Sequence, residues 1–329
     1  MAELDRPQKV LVTGATGFVG RYIVRELLAR GYTAVCLARD PNKLRQVVPE
    51  ASPSQLVAIK GDLHDHDALA RAAGQAQAAI HLVGIIFDRF LRRQTFQRIH
   101  VDGTRNVLAA VKTAGIRRYV HMSALGTRAD AVSKYHRTKW EAEEYVRNSG
   151  LQWTIFRPSI IHGPDGEFME LMKTFVARWW IMSLKFIPTP FPVIPYFGDG
   201  EARLQPVSVK DVAHCFVASL TKEESVRCIY TLCGPHSMNW KELYRTCREL
   251  IPGAHRFKPI LGQPVPVAKL LARTIMRTPI LPLHLRFNVG QVEMSQEDSV
   301  CEPGVAEETF GIKMRDFRFE LAQYADQIR

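Results

Sequence analysis

The apolar positions of the chain fall into short runs that alternate with amphipathic stretches of helical length. In the first half the short runs span residues 10–12, 33–37, 55–60, 78–83, 119–123 and 153–157, and the longest helical stretches span 96–114 and 135–148. Apolar runs that are separated by helices are typical of strands buried on both faces of a parallel sheet. The alternation predicts an α/β fold with a doubly wound parallel sheet.

A glycine-rich turn follows the first of these strands. Residues 13–20 read TGATGFVG, and an amphipathic stretch continues to position 30. A pyrophosphate binds to the backbone N–H groups and the positive dipole end of a helix N-terminus, and a Cβ in the turn would hold the backbone away from it. We therefore predict a dinucleotide-binding site at this turn. The residues expected to contact the cofactor there are Gly14, Thr16, Gly17, Phe18, Val19 and Gly20.

The strict alternation ends near position 163. Prolines and aromatic residues are concentrated in 164–202, whereas 205–220 predicts a short strand and a helix, and 228–232 a further strand. We predict a Rossmann domain made of residues 1–163 and 203–232. A smaller, mostly helical region for substrate or partner binding is predicted for 164–202 and 233–329.

The end of the second strand bears on the choice of nicotinamide. Position 38 is Ala, where an acidic side chain would bind both ribose hydroxyls of NAD. Arg39 and Lys43 follow and suit a 2′-phosphate, so NADP(H) is favoured over NAD(H). The alternative is that both are solvated loop charges, partly neutralised by Asp40.

The third strand is followed by Asp62 and Leu63. We expect the Asp62 carboxylate to accept a hydrogen bond from the adenine amino group and Leu63 to pack on the ring. The alternative is that Asp62 is a helix N-cap. The acidic loop with His64 and His66 is also expected to cap a helix, and no metal site is predicted.

Charge and cysteine content limit the function classes. The formal net charge is +11, but no compact basic run is interleaved with aromatic residues, so a nucleic-acid partner is not expected. The six scattered cysteines contain no CxxC pair and are interpreted as small buried apolar residues in a reducing compartment. The polar N-terminus runs directly into the first strand, which predicts a cytoplasmic protein without a signal peptide.

Two apolar stretches of the second region suggest binding surfaces. Residues 179–197 contain Lys185 and four prolines, which argues against a spanning helix. We interpret them as a cover over a substrate cleft or, alternatively, as a surface that enters a membrane interface. Residues 256–286 mix cations with Ile, Leu and Met and suit an acidic protein partner or a lipid surface, although solvated helix faces would look the same. Peripheral attachment of the cytoplasmic protein to a membrane is therefore one expectation.

The helix predicted at 135–148 carries a candidate catalytic pair. Tyr135 and Lys139 are four residues apart and therefore project from the same face. A nearby cation favours the phenolate and lowers the pKa of a tyrosine from about 10, which suits proton transfer near neutrality. Ser123 ends the fifth strand and lies close enough in the predicted order to join this pair.

The chain resembles the extended or atypical branch of the short-chain dehydrogenase/reductase superfamily through TGATGFVG, GDL, HMSALG, YHRTK and FRPSIIHGP. Within that branch it is most similar to the group related to the Rossmann-type accessory subunit of respiratory complex I. The stretches that carry this similarity are SKYHRTKWEAEEYVRNSGLQWTIFRPSIIHGP and GDGEARLQPVSVKDVA.

The resemblance implies roles for individual residues. Tyr135 would be the acid/base, Lys139 its partner and a ribose ligand, and Ser123 the group that polarises a substrate carbonyl. The cofactor would also contact, in addition to Tyr135 and Lys139, the strand-end residues Leu82, Val83, Gly84, Pro158, Ile160 and Ile161. Two positions depart from the family's pattern: Ala124 stands where the catalytic Ser or Thr usually lies, and His100 where Asn is frequent.

Two functions are consistent with these residues. The favoured one is an NADP(H)-dependent oxidoreductase that transfers hydride to or from an apolar carbonyl or quinone-type substrate bound against residues 168–197. The alternative is a nucleotide-binding subunit or assembly protein without turnover, which docks on a respiratory-complex-like or membrane-associated partner.

Overall fold

A computed structural model describes residue 4 and residues 6–88, 94–177, 193–274 and 286–328. Its contacts divide the chain into two units. The first unit comprises residues 1–158, 209–232 and 302–313, and the second comprises 159–208, 233–301 and 314–329.

The first unit is built on a seven-stranded parallel sheet. Its strands are β1 (Lys9–Thr13), β2 (Thr33–Ala38), β3 (Leu56–Lys60), β4 (Ala78–His81), β5 (Arg118–Met122), β6 (Gln152–Pro158) and β11 (Cys228–Leu232). Their order in the sheet is β11-β6-β5-β4-β1-β2-β3, and every neighbouring pair is parallel. The predicted doubly wound α/β fold is confirmed.

Helices cover this sheet. They are α1 (Phe18–Ala29), α2 (Pro41–Val47), α3 (His66–Ala73), α4 (Gly103–Thr113), α5 (Lys134–Arg147), α7 (Val209–Ala218) and α11 (Gly304–Phe310). The chain leaves β1 towards β2 and β3 and then returns to the opposite side of β1 as β4. Ligands of such sheets bind at the carboxyl ends of the strands where this reversal occurs.

The helix predicted over 96–114 begins as a π-helix at Gln97–Asp102 and continues as α4. At the junction, a Cβ on Gly103 would lie 2.6 Å from Leu63 Cδ1. The absence of a side chain therefore allows α4 to approach the loop after β3. π-helical turns frequently occur at functional sites.

The second unit has short strands and several helices around its own apolar core. Its elements are β7 (Ile161–His162), α6 (Glu167–Val176), β8 (Ile194–Phe197), β9 (Arg203–Leu204), β10 (Val207–Ser208), β12 (Met238–Asn239), α8 (Trp240–Leu250), β13 (Ile260–Gln263), α9 (Val265–Arg273), α10 (Val289–Met294) and α12 (Phe317–Tyr324). The core contains Met169, Met172, Leu243 and Phe317. Most of the predicted cover at 179–197, and positions 275–285 of the basic stretch, lie outside the described residues.

The boundaries of the units differ from the predicted domain boundaries at three segments. Residues 159–163 and 203–208 were predicted in the Rossmann domain but belong to the second unit. Residues 302–313, which contain α11, belong to the first unit, whereas the sequence pattern placed them in the second region. The Phe310 ring centroid lies 5.4 Å from that of Phe156 and 4.9 Å from that of Tyr230. These aromatic contacts attach α11 to the edge of the large sheet.

The interpretation of all six cysteines as isolated apolar residues is wrong for two of them. Cys233 and Cys301 form a disulfide within the second unit. Gln205 holds the two backbones at the bridge, because its side-chain amide donates to Gly234 O (2.6 Å) and its carbonyl oxygen accepts from Cys301 N–H (2.9 Å). The other four are free, and three of them are buried.

Candidate nucleotide-binding site

A pocket of about 380 Å³ opens at the carboxyl ends of the strands, where the order of the sheet reverses. Seven of the predicted cofactor residues line it: Gly14, Thr16, Arg39, Asp62, Leu63, Val83 and Gly84. The lining residues that the sequence analysis missed are Thr13, Leu37, Ala38, Gly61, His64, Ile85, Gln94, Arg98 and Ile99.

The glycine turn forms one wall of this pocket. Gly14 has a φ of +84°, which glycine adopts without strain. A Cβ on Gly20 would lie 2.1 Å from Gly14 O, so the first turn of α1 approaches β1 only because position 20 has no side chain. The N-cap residue Gly17 supplies no side-chain hydrogen bond to the helix, and the first turn of α1 contains no acidic residue. An anion can therefore bind at this helix N-terminus.

The end of β2 separates the two cations that were predicted to bind a 2′-phosphate. Arg39 lines the pocket, whereas Lys43 is an exposed residue of α2 and is not among the lining residues. Asp40 is the N-cap of α2 and accepts from Asn42 N–H at 2.9 Å. Within the described residues no carboxylate pairs with Arg39, so the predicted neutralisation by Asp40 is not observed.

The loop after β3 resolves the alternatives for Asp62. Its carboxylate lines the pocket and accepts from His64 N–H at 2.7 Å, while Asp65 is the N-cap of α3 and accepts from Ala68 N–H at 2.9 Å. The N-cap alternative for Asp62 is therefore wrong, and a helix cap from the acidic loop is confirmed at Asp65.

The π-helical turn contributes lining residues that no sequence motif marked. Arg98 and Ile99 lie on this turn and face the pocket with Gln94. The Arg98 side chain makes no hydrogen bond or ion pair to any described residue. Arg39 and Arg98 therefore give the pocket two cations that its own side chains do not neutralise.

Tyr135 and Lys139 lie on α5, which begins at the N-cap Ser133. The Lys139 amine is only 2% exposed and donates to Met122 O, 3.0 Å away. A Cβ on Gly84 would lie 3.0 Å from Lys139 Nζ, so the absence of a side chain at this pocket residue lets the amine reach the pocket wall. The Tyr135 ring is enclosed by the rings of Phe96, His100 and His136.

The expected lowering of the Tyr135 pKa is wrong for this structure. Burial raises the pKa of Tyr135 to about 12, because the phenolate loses hydration. Lys139 does not compensate, since its amine is directed at the Met122 carbonyl. Burial also lowers the pKa of Lys139 to about 8, against the opposing effect of the Glu143 carboxylate.

His100 connects α5 to the loop after β4. Its Nδ1 lies 2.9 Å from Thr138 Oγ1, and Ile85 N–H donates to its Nε2 at 3.0 Å. The Thr138 hydroxyl donates to backbone carbonyls of α5, so it can accept from Nδ1 of a neutral His100, whose Nε2 also lies 3.1 Å from Ile85 O. His100 is 1% exposed and supports the loop that carries Gly84 and Ile85.

Ser123 lies directly after β5 and is buried. Its hydroxyl donates to Thr127 Oγ1 at 3.3 Å, and its N–H donates to Phe156 O. The next residue, Ala124, is half-buried. The hydroxyl is thus engaged within the protein, and its role toward a substrate stays a prediction.

The remaining predicted residues lie outside the pocket lining. Gly17, Phe18, Val19 and Gly20 belong to the turn and to α1, Leu82 is buried after β4, and Pro158 ends β6. Ile160 and Ile161 belong to the second unit, where Ile160 packs against the apolar core and Ile161 lies in β7.

The described part of the chain contains neither a cluster of metal ligands nor a helix that could span a membrane. No group of three or more His, Cys, Asp or Glu side chains there is arranged to hold a metal ion. No helix there combines the length and the apolar composition that crossing a bilayer requires.

The fold and the pocket define a Rossmann-type dinucleotide-binding protein. A pyrophosphate fits the site because the turn excludes a Cβ at position 20 and leaves the N–H groups of α1 without side-chain caps. The sequence model of the NAD dependent epimerase/dehydratase family matches residues 10–233. The chain belongs to that family, which confirms the resemblance to extended short-chain dehydrogenases/reductases and a nicotinamide dinucleotide as the cofactor class.

Known proteins extend this similarity to most of the chain. NADH dehydrogenase (ubiquinone) 1 alpha subcomplex subunit 9 of Arabidopsis thaliana is 29% identical over 297 residues, which cover 88% of this chain and 70% of that protein. The ceramide reductase of Caulobacter vibrioides is 34% identical over 211 residues, 64% of this chain and 60% of the relative's length. The crystal structure of UDP-glucose 4-epimerase from Thermotoga maritima has a TM-score of 0.70 at 15% identity, covers 96% of this chain and 97% of its own, and shows the shared fold.

Proposed function

We propose that this protein is an NADPH-dependent reductase that transfers hydride to an apolar carbonyl or quinone-type substrate, with Tyr135 as the proton donor. One observation carries the proposal. The Tyr135 hydroxyl makes no hydrogen bond to a described residue, and its pKa of about 12 keeps it protonated at neutral pH. A neutral phenol donates a proton, which is what reduction of a carbonyl requires, whereas oxidation of an alcohol would need the phenolate.

The cofactor, when bound, supplies the hydride. Tyr135 donates its proton to the substrate oxygen as negative charge develops there, so that hydride and proton together convert a carbonyl to an alcohol. With a pKa of about 8, Lys139 is mostly protonated at pH 7, and its amine lies beside Gly84 of the pocket, where it can donate to a ribose hydroxyl of the cofactor. The phenolate then regains a proton from solvent.

The preference for NADPH rests on the charges of the pocket. Arg39 is at the end of β2, where a 2′-phosphate is bound in folds of this type, and Asp40 is engaged as a helix cap. Arg98 adds a second cation from the π-helical turn. Charge-assisted hydrogen bonds from these guanidinium groups favour a phosphate over a ribose hydroxyl.

The substrate class follows from the second region and from one relative. The relative named ceramide reductase acts, by its name, on a lipid. The sequence between positions 168 and 197 is apolar and aromatic. Both support a substrate with a long apolar part over a sugar nucleotide.

A nucleotide-binding subunit without turnover is the second candidate. The buried Ser123 hydroxyl is engaged with Thr127, and Ala124 occupies the position of the usual catalytic hydroxyl. The Arabidopsis relative is, by its name, a subunit of an NADH dehydrogenase. In this case the nucleotide stabilises the fold, and the protein acts through a larger assembly.

The two candidate functions predict different activities for the variant Tyr135→Phe. Purified protein is mixed with NADPH and a set of quinones, ketones and aldehydes, and nicotinamide absorbance is followed for wild type and Tyr135→Phe. Loss of a general acid predicts a fall in turnover of about a hundredfold or more. Tyr145→Phe, an exposed tyrosine of the same helix, is the matched control and should retain full activity. Equal rates for Tyr135→Phe and wild type would reject the reductase and favour the second candidate.

A further inference from the structure

The second unit exposes an unusual set of large apolar side chains between Phe257 and Leu270. Phe257 precedes β13 and is 87% exposed, Leu261 lies on β13, and Val267 and Leu270 lie on α9. Leu270 is 62% exposed. Val267 and Leu270 are three residues apart and share one face of α9, while Ala268 and Ala272 are buried on the other face. The helix therefore presents an apolar face away from its own core.

Cations accompany these side chains, and anions do not. The sequence has no Asp or Glu between Glu249 and Glu293. Lys269 is paired with Glu293 at 2.9 Å. Arg256 and Arg273 are exposed and form no ion pair with the described residues. Arg273 lies three positions beyond Leu270 and extends the same face of α9.

This combination selects the chemistry of the partner. Burial of Phe257 and Leu270 needs an apolar phase, and Arg256 and Arg273 need anions at its edge. An anionic membrane interface supplies both, and surface-lying helices that bind such membranes have apolar and basic residues without acidic ones. An acidic protein would have to provide an apolar groove for the same side chains. The membrane is therefore the better match.

We propose that Phe257, Leu261, Val267 and Leu270, flanked by Arg256 and Arg273, form a docking surface for anionic phospholipid membranes. The apolar side chains enter the acyl boundary, and the two arginines contact the phosphate groups. The inference does not depend on the proposed reductase activity, because the surface belongs to the second unit and contains none of the residues of the nucleotide pocket.

The test is co-sedimentation of the full chain with vesicles. Vesicles of phosphatidylcholine alone are compared with vesicles that also contain phosphatidylglycerol, at low and at high salt. We expect binding only to the anionic vesicles, and weaker binding at high salt because ions screen the arginines. The variant Arg256→Glu/Arg273→Glu should bind at least about tenfold more weakly. Phe257→Ser/Leu270→Ser should lose about tenfold as well.

Matched controls test whether the effect belongs to this surface. Phe319→Ser removes another exposed aromatic residue, from α12, and Lys112→Glu/Arg117→Glu reverses two exposed charges of the first unit. Both should bind like wild type. NADPH affinity, measured on every variant, serves as the check that the chain is folded.

The outcomes separate the alternatives. Loss of vesicle binding in the surface variants alone supports the proposal. An equal loss in the control variants shows that binding follows net charge and overturns it. Absence of wild-type binding to anionic vesicles also overturns it and leaves an acidic protein as the occupant. None of these results depends on whether Tyr135 supports turnover.

Discussion

The nucleotide pocket and the Tyr135–Lys139 region adjoin in the first unit. They differ in whether their polar groups have partners within the protein. Around the pocket, the N-terminus of α1 has no side-chain cap, and Arg39 and Arg98 have no counter-ion among the described residues. Around Lys139, the amine donates to Met122 O, and His100 bonds Thr138 and Ile85. The pocket can therefore bind an external anion, whereas Lys139 and His100 already have hydrogen-bond partners within the protein.

Of the two parts of the proposed function, anion binding depends on the backbone. Anion binding follows from a turn and a helix end that exist without a ligand, so binding needs little rearrangement. The proposed proton transfer depends on Tyr135 and Lys139, whose pKa values burial displaces, and the lowered pKa of Lys139 destabilises the folded state at neutral pH. We therefore expect changes near Lys139 to alter stability and changes at the pocket to alter nucleotide affinity.

The largest expected effect is acid unfolding driven by the buried histidines. Burial lowers the pKa of His81 to about 3, and burial together with Lys139 holds the pKa values of His100 and His121 well below their usual range. Below pH 6.5 the unfolded chain binds protons that the folded chain does not, so stability is lost as the pH falls. Three such groups predict a loss of about 4 kcal/mol for each pH unit.

Urea unfolding followed by circular dichroism between pH 7.5 and pH 5, conditions chosen around the ordinary histidine pKa of about 6.5, measures this slope. His121→Phe should reduce it by about a third. That variant should not lose stability at neutral pH, because neither ring nitrogen of His121 has a hydrogen-bond partner. An unchanged slope in His121→Phe would show that His121 does not contribute to the acid sensitivity and would contradict the prediction.

The next effect concerns Lys139. Its folded pKa of about 8 is below the ordinary 10.5, so its burial destabilises the protein at pH 7, and this penalty disappears as the pH rises from 8 to 10.5. Lys139→Met should be more stable than wild type by about 2 kcal/mol at pH 7, after allowance for the lost hydrogen bond to Met122. Thermal unfolding at pH 7 and pH 10 checks this, with the exposed Lys112→Met as control. A less stable Lys139→Met at pH 7 would contradict it.

The smallest expected effect is a change in the affinity for NADPH relative to that for NADH. Arg39→Ala should weaken NADPH binding about tenfold and leave NADH binding nearly unchanged, because the guanidinium recognises only the added phosphate. Lys43→Ala should have little effect, since Lys43 does not line the pocket. Fluorescence titration with both nucleotides measures these ratios. An equal loss for NADH and NADPH would show that Arg39 does not select the 2′-phosphate.

The sheet and the glycine turn could be predicted because each follows from local pattern. Apolar runs define the buried strands, and the spacing of Gly14, Gly17 and Gly20 marks a turn that requires glycine at positions 14 and 20. The attachment of α11 to the large sheet could not be predicted, because it depends on contacts of Phe310 with residues far away in the sequence. The Cys233–Cys301 pairing is long-range in the same way.

The site could be predicted where a residue lies within three positions of a strand end, as Arg39, Asp62 and Gly84 do. Arg98 was missed because it lies on a π-helical turn that the helical periodicity of 96–114 does not reveal. The pKa of Tyr135 was mispredicted because spacing places Lys139 on the same helix face but does not show where its amine donates. Burial then outweighs a cation that is directed elsewhere.

We propose above that NADPH binds at the glycine turn between β1 and α1. The most direct measurement is a fluorescence titration of NADPH into wild type, Gly20→Ala and the control Gly304→Ala, whose added Cβ would meet nothing within 4 Å. We expect NADPH to bind saturably to wild type and to the control. Gly20→Ala should bind about a hundredfold more weakly, since its Cβ displaces the N–H groups that bind the pyrophosphate. Equal binding of NADPH by Gly20→Ala, or no binding by wild type, would contradict the placement of the nucleotide at this turn.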